Sequence, residues 1–374
     1  MKKYLSTESF RSWAEIDLNG AKFNFTQVKK RTSAKVCAVV KADGYGHGAV
    51  QLSNLYQKLG ADYLAVATIE EGITLRENGV TLPILILGYT PPTLTETLYV
   101  YDLTQTVFSF DYALNLIYNG KKQGVKIKTH VKIESGMNRL GFLPTNKSVK
   151  QILTLARSPY LIIEGAFSHF SKADWGIDGK EHTKAQAQTF LTAVQKLERG
   201  GLQLPLKHIS NSAGILDYPE YHFDMVRAGI ILYGLNPSDK IINPIDLKPV
   251  MQVYSKIATI KKLAKGQSVS YGGKFVTNKK TTLATIPFGY ADGLFRSSEN
   301  YHFIVNGKVA PIVGTVCMDQ TIIDVTGISA KDGDTVTIIG NHPDCSADTL
   351  AKLNNTINYE ITCAISSRIP RIYV

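Results

Sequence analysis

Between residues 35 and 233 the chain repeats one pattern: a short, β-branched apolar run, a polar break, then a longer stretch with apolar positions three and four apart. The apolar runs lie at 36–40, 63–67, 84–88, 106–109, 129–133, 162–169, 206–210 and 225–233. Helical period fills 47–60, 69–78, 113–124 and 183–199, the last closed by Gly200-Gly201. Eight such strands with helices between them predict an α/β fold, a (β/α)8 TIM barrel. After Asn236-Pro237 the period shortens to two, in segments 251–260, 268–272, 283–286, 303–305, 320–325 and 335–339. Asn306-Gly307 and Asp332-Gly333 sit between segments as hairpin turns. A helix at 346–354, capped by Ser346 or Asp348, and a strand-like run at 361–374 complete the pattern. The reading is a barrel over 1–240 and a second, C-terminal mostly-β domain over 241–374. A first strand near 11–18 is expected to join the second domain.

Composition narrows the class. Of 374 residues, 44 % are hydrophobic and 20 % charged, ordinary for a protein with a sizeable core. The formal net charge is +11, but the lysines are scattered and the longest basic stretch is Lys29-Lys30-Arg31. No nucleic-acid partner is expected; a basic surface suits anionic substrates and phosphate-bearing cofactors. Cys37, Cys317, Cys345 and Cys363 lie far apart with no paired spacing, which reads as reduced thiols of a cytoplasmic protein. The first residues lack the apolar core of a secretory signal, and no run approaches the roughly 20 apolar residues of a membrane span.

In a barrel the chemistry sits at the C-terminal ends of the strands. The first strand ends in Val40-Lys41-Ala42-Asp43-Gly44-Tyr45-Gly46-His47-Gly48. A lysine at the mouth of an apolar strand is desolvated and made nucleophilic, as a Schiff base requires. Alone it reads more readily as a surface lysine beside a turn. The glycines let Tyr45 and the backbone come close to a ligand.

The string resembles the lysine signature of the alanine racemase family, which usually has Ala where this chain has Gly44. Further motifs follow in the family's order: residues 13–18, 132–141 (Lys132 to Gly141), 208–213, 226–230, 270–272, 289–293, 314–319 and 358–360. The resemblance covers residues 11–374. It implies a cytoplasmic homodimeric isomerase that uses pyridoxal 5′-phosphate (PLP), with no metal, nucleic acid or membrane, and makes D-alanine for peptidoglycan. Racemisation needs two bases on opposite faces of a planar intermediate. By resemblance these are Lys41, which carries the cofactor, and Tyr271 from the partner subunit. A tyrosine's pKa of about 10 must fall by roughly three units to serve at neutral pH. The family suggests a hydrogen-bond chain through His169 and Arg227 for that purpose. Arg227 is implied to face the pyridine nitrogen, keeping it unprotonated. The candidates for the phosphate are Ser212, the amides of Gly229 and Ile230, and the hydroxyls of Tyr45 and Tyr359, and Asn211 is a further cofactor-binding candidate. The resemblance assigns the cofactor's phenolic oxygen and the substrate carboxylate to Arg139. It implies substrate contacts at Met318, Tyr290 and Asp319, and carbamylation of Lys132. Tyr359 and Tyr290 would form a narrow opening for a small side chain. A racemase of serine or another small amino acid fits the same residues. A barrel PLP decarboxylase fits less well, because it would carry a carboxylate where this chain has Arg227.

Overall fold

The computed structural model describes residues 7–374, which divide into two compact units. One holds Ala21–Gly44 and Ala49–Lys248. The other holds the described residues up to Gly20, the short piece Tyr45–Gly48, and Pro249–Val374. Strand β1 (Ser12–Ile16) belongs to the second of these.

The barrel is built from β2 (Lys35–Val39), β3 (Tyr63–Val66), β4 (Ile84–Ile86), β5 (Leu103–Val107), β6 (Ile127–Lys132), β7 (Leu161–Phe167), β8 (Leu206–His208) and β9 (Met225–Ala228). They form one parallel row in the order β8-β7-β6-β5-β4-β3-β2-β9. Asp224 N–H donates to Lys207 O (3.1 Å) and Arg227 N–H to Ser210 O (3.0 Å), bridging the two ends of the row. Every residue of β3, β4 and β5 is buried, as in strands covered on both faces. The helix Phe110–Gln123 turns Tyr112, Ala113, Leu116 and Gly120 inward, and the Ser109 hydroxyl caps its first turn.

The expected strands shift by a few residues, and the eighth differs in kind. Strand β9 stops at Ala228, and Gly229 opens a 3-10 turn, Ile230–Tyr233, where a strand to 233 was expected. The helix Leu18–Arg31 escapes the periodicity because its Asn19-Gly20 reads as a turn. In the fold the Asp17 carboxylate accepts from Gly20 N–H (2.8 Å) and starts the helix.

The second unit holds β1 with β10 (Met251–Lys256), β11 (Thr259–Leu263), β12 (Ser268–Val269), β13 (Phe275–Val276), β14 (Thr281–Ile286), β15 (His302–Val305), β16 (Lys308–Pro311), β17 (Thr321–Asp324), β18 (Thr335–Ile339) and β19 (Arg371–Tyr373). The sheets run β16-β15-β18-β10-β1-β19, β11-β14-β17 and β12-β13. Strand β10 alternates buried and half-buried residues, the period-two signature of one covered face. Asn306 and Gly307 take φ of 48° and 74°, the two-residue hairpin turn their sequence predicts. The run 251–260 is two strands in different sheets. The run 361–374 is a helix, Asn358–Ala364, followed by β19. Its β-branched residues mislead, since Asn358, Ile361 and Thr362 share one buried helical face. Ser346, not Asp348, caps the helix Ala347–Leu353.

One irregularity shapes the barrel interior. The β6–β7 register shifts between Thr129 and His130, so that His130 lies opposite Gly165. A Cβ on Gly165 would sit 2.6 Å from Leu206 O and 3.1 Å from His130 Cε1. Gly165→Ala should therefore destabilise the protein by about 1–3 kcal/mol, read as a lower urea midpoint at unchanged slope. An unchanged midpoint would show that the interior yields without cost.

Candidate active site

Lys41 leaves β2 into a turn of unusual hand. Ala42, Asp43, Gly44 and Tyr45 have φ of 52°, 50°, 60° and 53°, a left-handed helical turn built mainly from non-glycine residues. Each such residue costs roughly 1–2 kcal/mol, so neighbouring groups must hold the turn. Glu71 Oε1 accepts from Ala42 N–H (2.6 Å), Asp43 Oδ1 from Ala49 N–H (2.8 Å), and Val40 O from Gly44 N–H (2.8 Å). The Glu71 carboxylate also accepts from Ala67 N–H at the end of β3, so one side chain ties the Lys41 turn to the next strand.

Arg227, at the end of β9, is buried and faces no carboxylate. Nη1 donates to His208 Nδ1 (2.7 Å). Nη2 donates to Ser168 O (2.8 Å), Ile209 O (3.0 Å) and His169 Nδ1 (3.1 Å). All these partners are neutral acceptors, and Nε makes no hydrogen bond among the described residues. Phe167 lies 5.3 Å beneath the guanidinium. Burial brings the Arg227 pKa down to about 10, so the group remains a cation at neutral pH. Burial, then the Arg227 charge, holds His169 and His208 well below the ordinary imidazole range. Arg139, Lys132 and Lys41 press on His169 in the same direction, so four cations converge around it.

Lys132 ends β6, buried, its Nζ 5.5 Å from the Phe167 ring centroid. Burial, Arg139 and Arg227 lower its pKa to about 8. Glu134 follows on the same strand end. Burial alone would raise its pKa, yet backbone N–H groups of Asn138, Gly136, Met137 and Arg139 hold the carboxyl below the usual range. Glu134 thus shapes the loop that carries the exposed Arg139. Asn211 caps the helix Ser212–Asp217, accepting from Gly214 N–H (3.0 Å). The Ser212 hydroxyl accepts from Gly229 N–H (3.0 Å), and Ile230 follows buried. The cap therefore belongs to Asn211, which leaves Ser212 to pair with the Gly229 turn.

The remaining candidates lie in the second unit. The Tyr45 and Tyr359 rings are 5.9 Å apart and tilted. Tyr271 lies in a 3-10 turn after β12 rather than in a strand, and 68 % of its surface is exposed. Ser270 before it has φ 64°, held by its hydroxyl on Thr315 O (2.6 Å). Tyr271, Met318 and Asp319 line one cleft of about 410 Å³. Tyr290 N–H donates to Cys317 O (3.0 Å) and Ala291 N–H to Met318 O (2.9 Å), so the Tyr290 and Met318 turns are stitched together. A Cβ on Gly289 would meet Cys317 O at 2.3 Å, so only glycine allows this approach. Asp292, wholly buried, accepts from Arg11 (2.7 Å) and lies 3.6 Å from Arg368, which also bonds Asp319 (2.8 Å).

Comparison with known proteins decides the family. The family model for the alanine racemase N-terminal domain matches residues 16–237, and the C-terminal domain model matches residues 250–373. The chain belongs to the alanine racemase family. It is 43 % identical to alanine racemase 1 of Clostridium acetobutylicum over 97 % of this chain and 95 % of that one. The solved alanine racemase of Clostridium difficile 630 superposes with a TM-score of 0.94 at 44 % identity, covering 98 % and 96 % of the two chains. The Bacillus anthracis alanine racemase structure with bound L-Ala-P gives 0.92 at 36 % identity, covering 97 % and 95 %.

Three residues around the strand ends have no role assigned to them by the sequence. His208 lies in a motif already singled out but carried no assigned role. His130 sits two residues before Lys132, on the same face of β6, a period-two signal that points it inward. Glu134 stands inside the arginine motif. His130 is held at about 3 by burial and then by Arg227, while an unfolded imidazole titrates near 6.5. The unfolded chain therefore binds the extra proton between those values, and the contribution to stability falls as pH drops below 6.5. His208 adds a second proton of the same sign. Urea unfolding from about pH 6 to about pH 5 should show stability falling with pH. His130→Asn should remove about 1.4 kcal/mol per pH unit from that slope.

Proposed function

We propose that this chain interconverts L- and D-alanine with pyridoxal 5′-phosphate held on Lys41, in a homodimer whose active site draws on both copies. The observation that carries the reading is Arg227: a buried guanidinium on neutral acceptors, with Nε left over, one of four cations, with Arg139, Lys132 and Lys41, that bear on His169. The residues fit the cofactor. Lys41, Lys132, Arg139 and Arg227 supply positive charge for a phosphorylated aromatic aldehyde, and Glu134 is spent on backbone amides. Bound pyridoxal phosphate supplies delocalisation of the electron pair left when the substrate's Cα proton departs.

The chain's own residues do the rest. Lys41 Nζ would hold the cofactor and, once the substrate's amine displaces it, would move the proton on one face as a free amine. Tyr271 from a second copy holds or accepts it on the other. The exposure of Tyr271, Met318 and Tyr290 supports a face covered by that second copy. His169 accepts from Arg227 at Nδ1, so its own proton sits on Nε2, a donor that would be available to the Tyr271 oxygen of the second copy. Arg227 stays protonated and would leave a ring nitrogen placed against it as an acceptor, which would restrain the electron sink and disfavour transamination. Ser212, the amides of Gly229 and Ile230, and the hydroxyls of Tyr45 and Tyr359 would hold the phosphate, with Asn211 setting the Ser212 helix. Arg139 would hold the phenolic oxygen and the substrate carboxylate. The lowered pKa of Lys132 favours carbamylation: its free amine forms an N–C bond to carbon dioxide and releases one proton. The resulting anion would orient Arg139. Met318, Tyr290 and Asp319 would bound the substrate, with Tyr290 and Tyr359 excluding larger side chains. The product serves peptidoglycan synthesis.

Chiral analysis of L-alanine incubated with the purified protein and cofactor should show the D-isomer rising to equilibrium. Lys41→Ala should abolish both the turnover and the borohydride-sensitive visible band. Tyr271→Phe should slow proton removal from L-alanine far more than from D-alanine. Equal losses in a folded dimer would contradict the facial assignment. Intact mass of gently handled protein should show one added carbon dioxide, absent in Lys132→Met.

A further inference from the structure

The long helix Lys180–Arg199 buries Thr183, Ala187, Phe190, Ala193, Val194 and Leu197, and among them a glutamine, Gln186, 1 % exposed. A primary amide is costly to bury unless both its ends are bonded, so its presence on this face calls for partners. We infer that Gln186 is a positioning residue for His169, holding the backbone on either side of Phe170 so that the His169 ring meets Arg227.

The amide grips two backbone groups. Gln186 Nε2 donates to His169 O (3.1 Å), and Oε1 accepts from Ser171 N–H (2.9 Å). The backbone fixes which end is which, because a carbonyl only accepts and an N–H only donates. Among the described residues, His169 O and Ser171 N–H bond to this side chain alone. A carbonyl and the N–H two residues on are the pair that a neighbouring parallel strand engages. Strand β7 ends at Phe167, and its ladder to β8 continues only to Ser168 N–H on His208 O (3.1 Å). One side chain thus stands in for a strand neighbour where the sheet has run out.

The grip is itself held. A Cβ on Gly136, at φ 135°, would come within 3.2 Å of Gln186 Cγ and 3.5 Å of Nε2, so the backbone of the Arg139 loop lies against the side chain. The Ser135 and Ser168 hydroxyls join that loop to the His169 segment at 2.6 Å. On its other side, the segment gives Ser168 O (2.8 Å) and His169 Nδ1 (3.1 Å) to Arg227 Nη2. Gln186 and Arg227 therefore hold the same residues, one by the backbone and the other at the ring. With the amide gone, His169 O and Ser171 N–H must turn to water, and the ring moves with them off Nη2.

The test uses full-length protein with 15N-labelled histidine, without cofactor, the His169 signals being assigned with His169→Asn. In Gln186→Met, which keeps the length and loses the amide, His169 Nδ1 should shift toward the value of an imidazole nitrogen with no donor. Ser171→Ala, which keeps the backbone N–H, should leave it in place. An unmoved His169 in folded Gln186→Met overturns the inference. Should that variant fail to fold, Gln186→Glu, which sets an oxygen against His169 O, is read in the same way. Should neither fold, the wild-type Ser171 amide decides: slow hydrogen exchange supports the grip, and exchange as fast as in an open loop overturns it.

The effect on turnover rests on the proposed role of His169 toward Tyr271. With cofactor, Gln186→Met should lose about tenfold in kcat with KM little changed, the loss of one or two hydrogen bonds. Its α-deuterium isotope effect should rise with L-alanine and fall with D-alanine, since only the Tyr271 face is slowed. A merely structural role would leave both isotope effects alone. A moved His169 with unmoved isotope effects would contradict the reading of His169 while the positioning stands.

Discussion

A cation buried without a counter-ion is the constraint around which the barrel is arranged. Removing a guanidinium from water is costly, and the usual remedy is a carboxylate. Arg227 has none. Its charge is spread instead over two imidazoles and two carbonyls, and its face rests on Phe167. Such an arrangement keeps the positive field intact at the strand ends, where a carboxylate would cancel it. Burial, and after it the Arg227 charge, holds His130, His169 and His208 uncharged. Cys37, in register with Arg227 on the next strand, is held as a thiol near 12 by burial.

Strain is concentrated where position matters. The turn after Lys41 runs left-handed through Ala42, Asp43 and Tyr45, and Ser270 sits at positive φ beside Tyr271. Each is restrained by short side-chain bonds, from Glu71 and Asp43 in one place and to Thr315 O in the other. Rigid presentation of the two proposed bases is what this strain secures. Along the chain, Gly44 closes a segment of the barrel unit and Tyr45 opens a segment of the other, so one turn runs from Lys41 to Tyr45.

Much of this was legible in the residues. Apolar runs located the barrel strands because parallel strands are buried on both faces, and Asn306-Gly307 marked its hairpin through a turn only such residues favour. Lys41, Lys132 and Arg227 fell at strand ends, where barrel chemistry is expected. What stayed hidden depends on distance in the chain. No local signal pairs His130 with His208, 78 residues on, or Ser212 with Gly229. Local preference also failed where tertiary packing overrode it, as in the helix Asn358–Ala364, whose β-branched residues favour a strand. The left-handed sense of the Lys41 turn is set by Glu71, a residue of the next unit of the barrel.

The central claim, that an uncompensated Arg227 keeps its partner nitrogen unprotonated, is tested most directly by 15N spectroscopy of the protein reconstituted with ring-15N pyridoxal phosphate. The account predicts a ring nitrogen with the shift of an unprotonated pyridine at neutral pH. A shift of pyridinium character in the folded, active protein would contradict it.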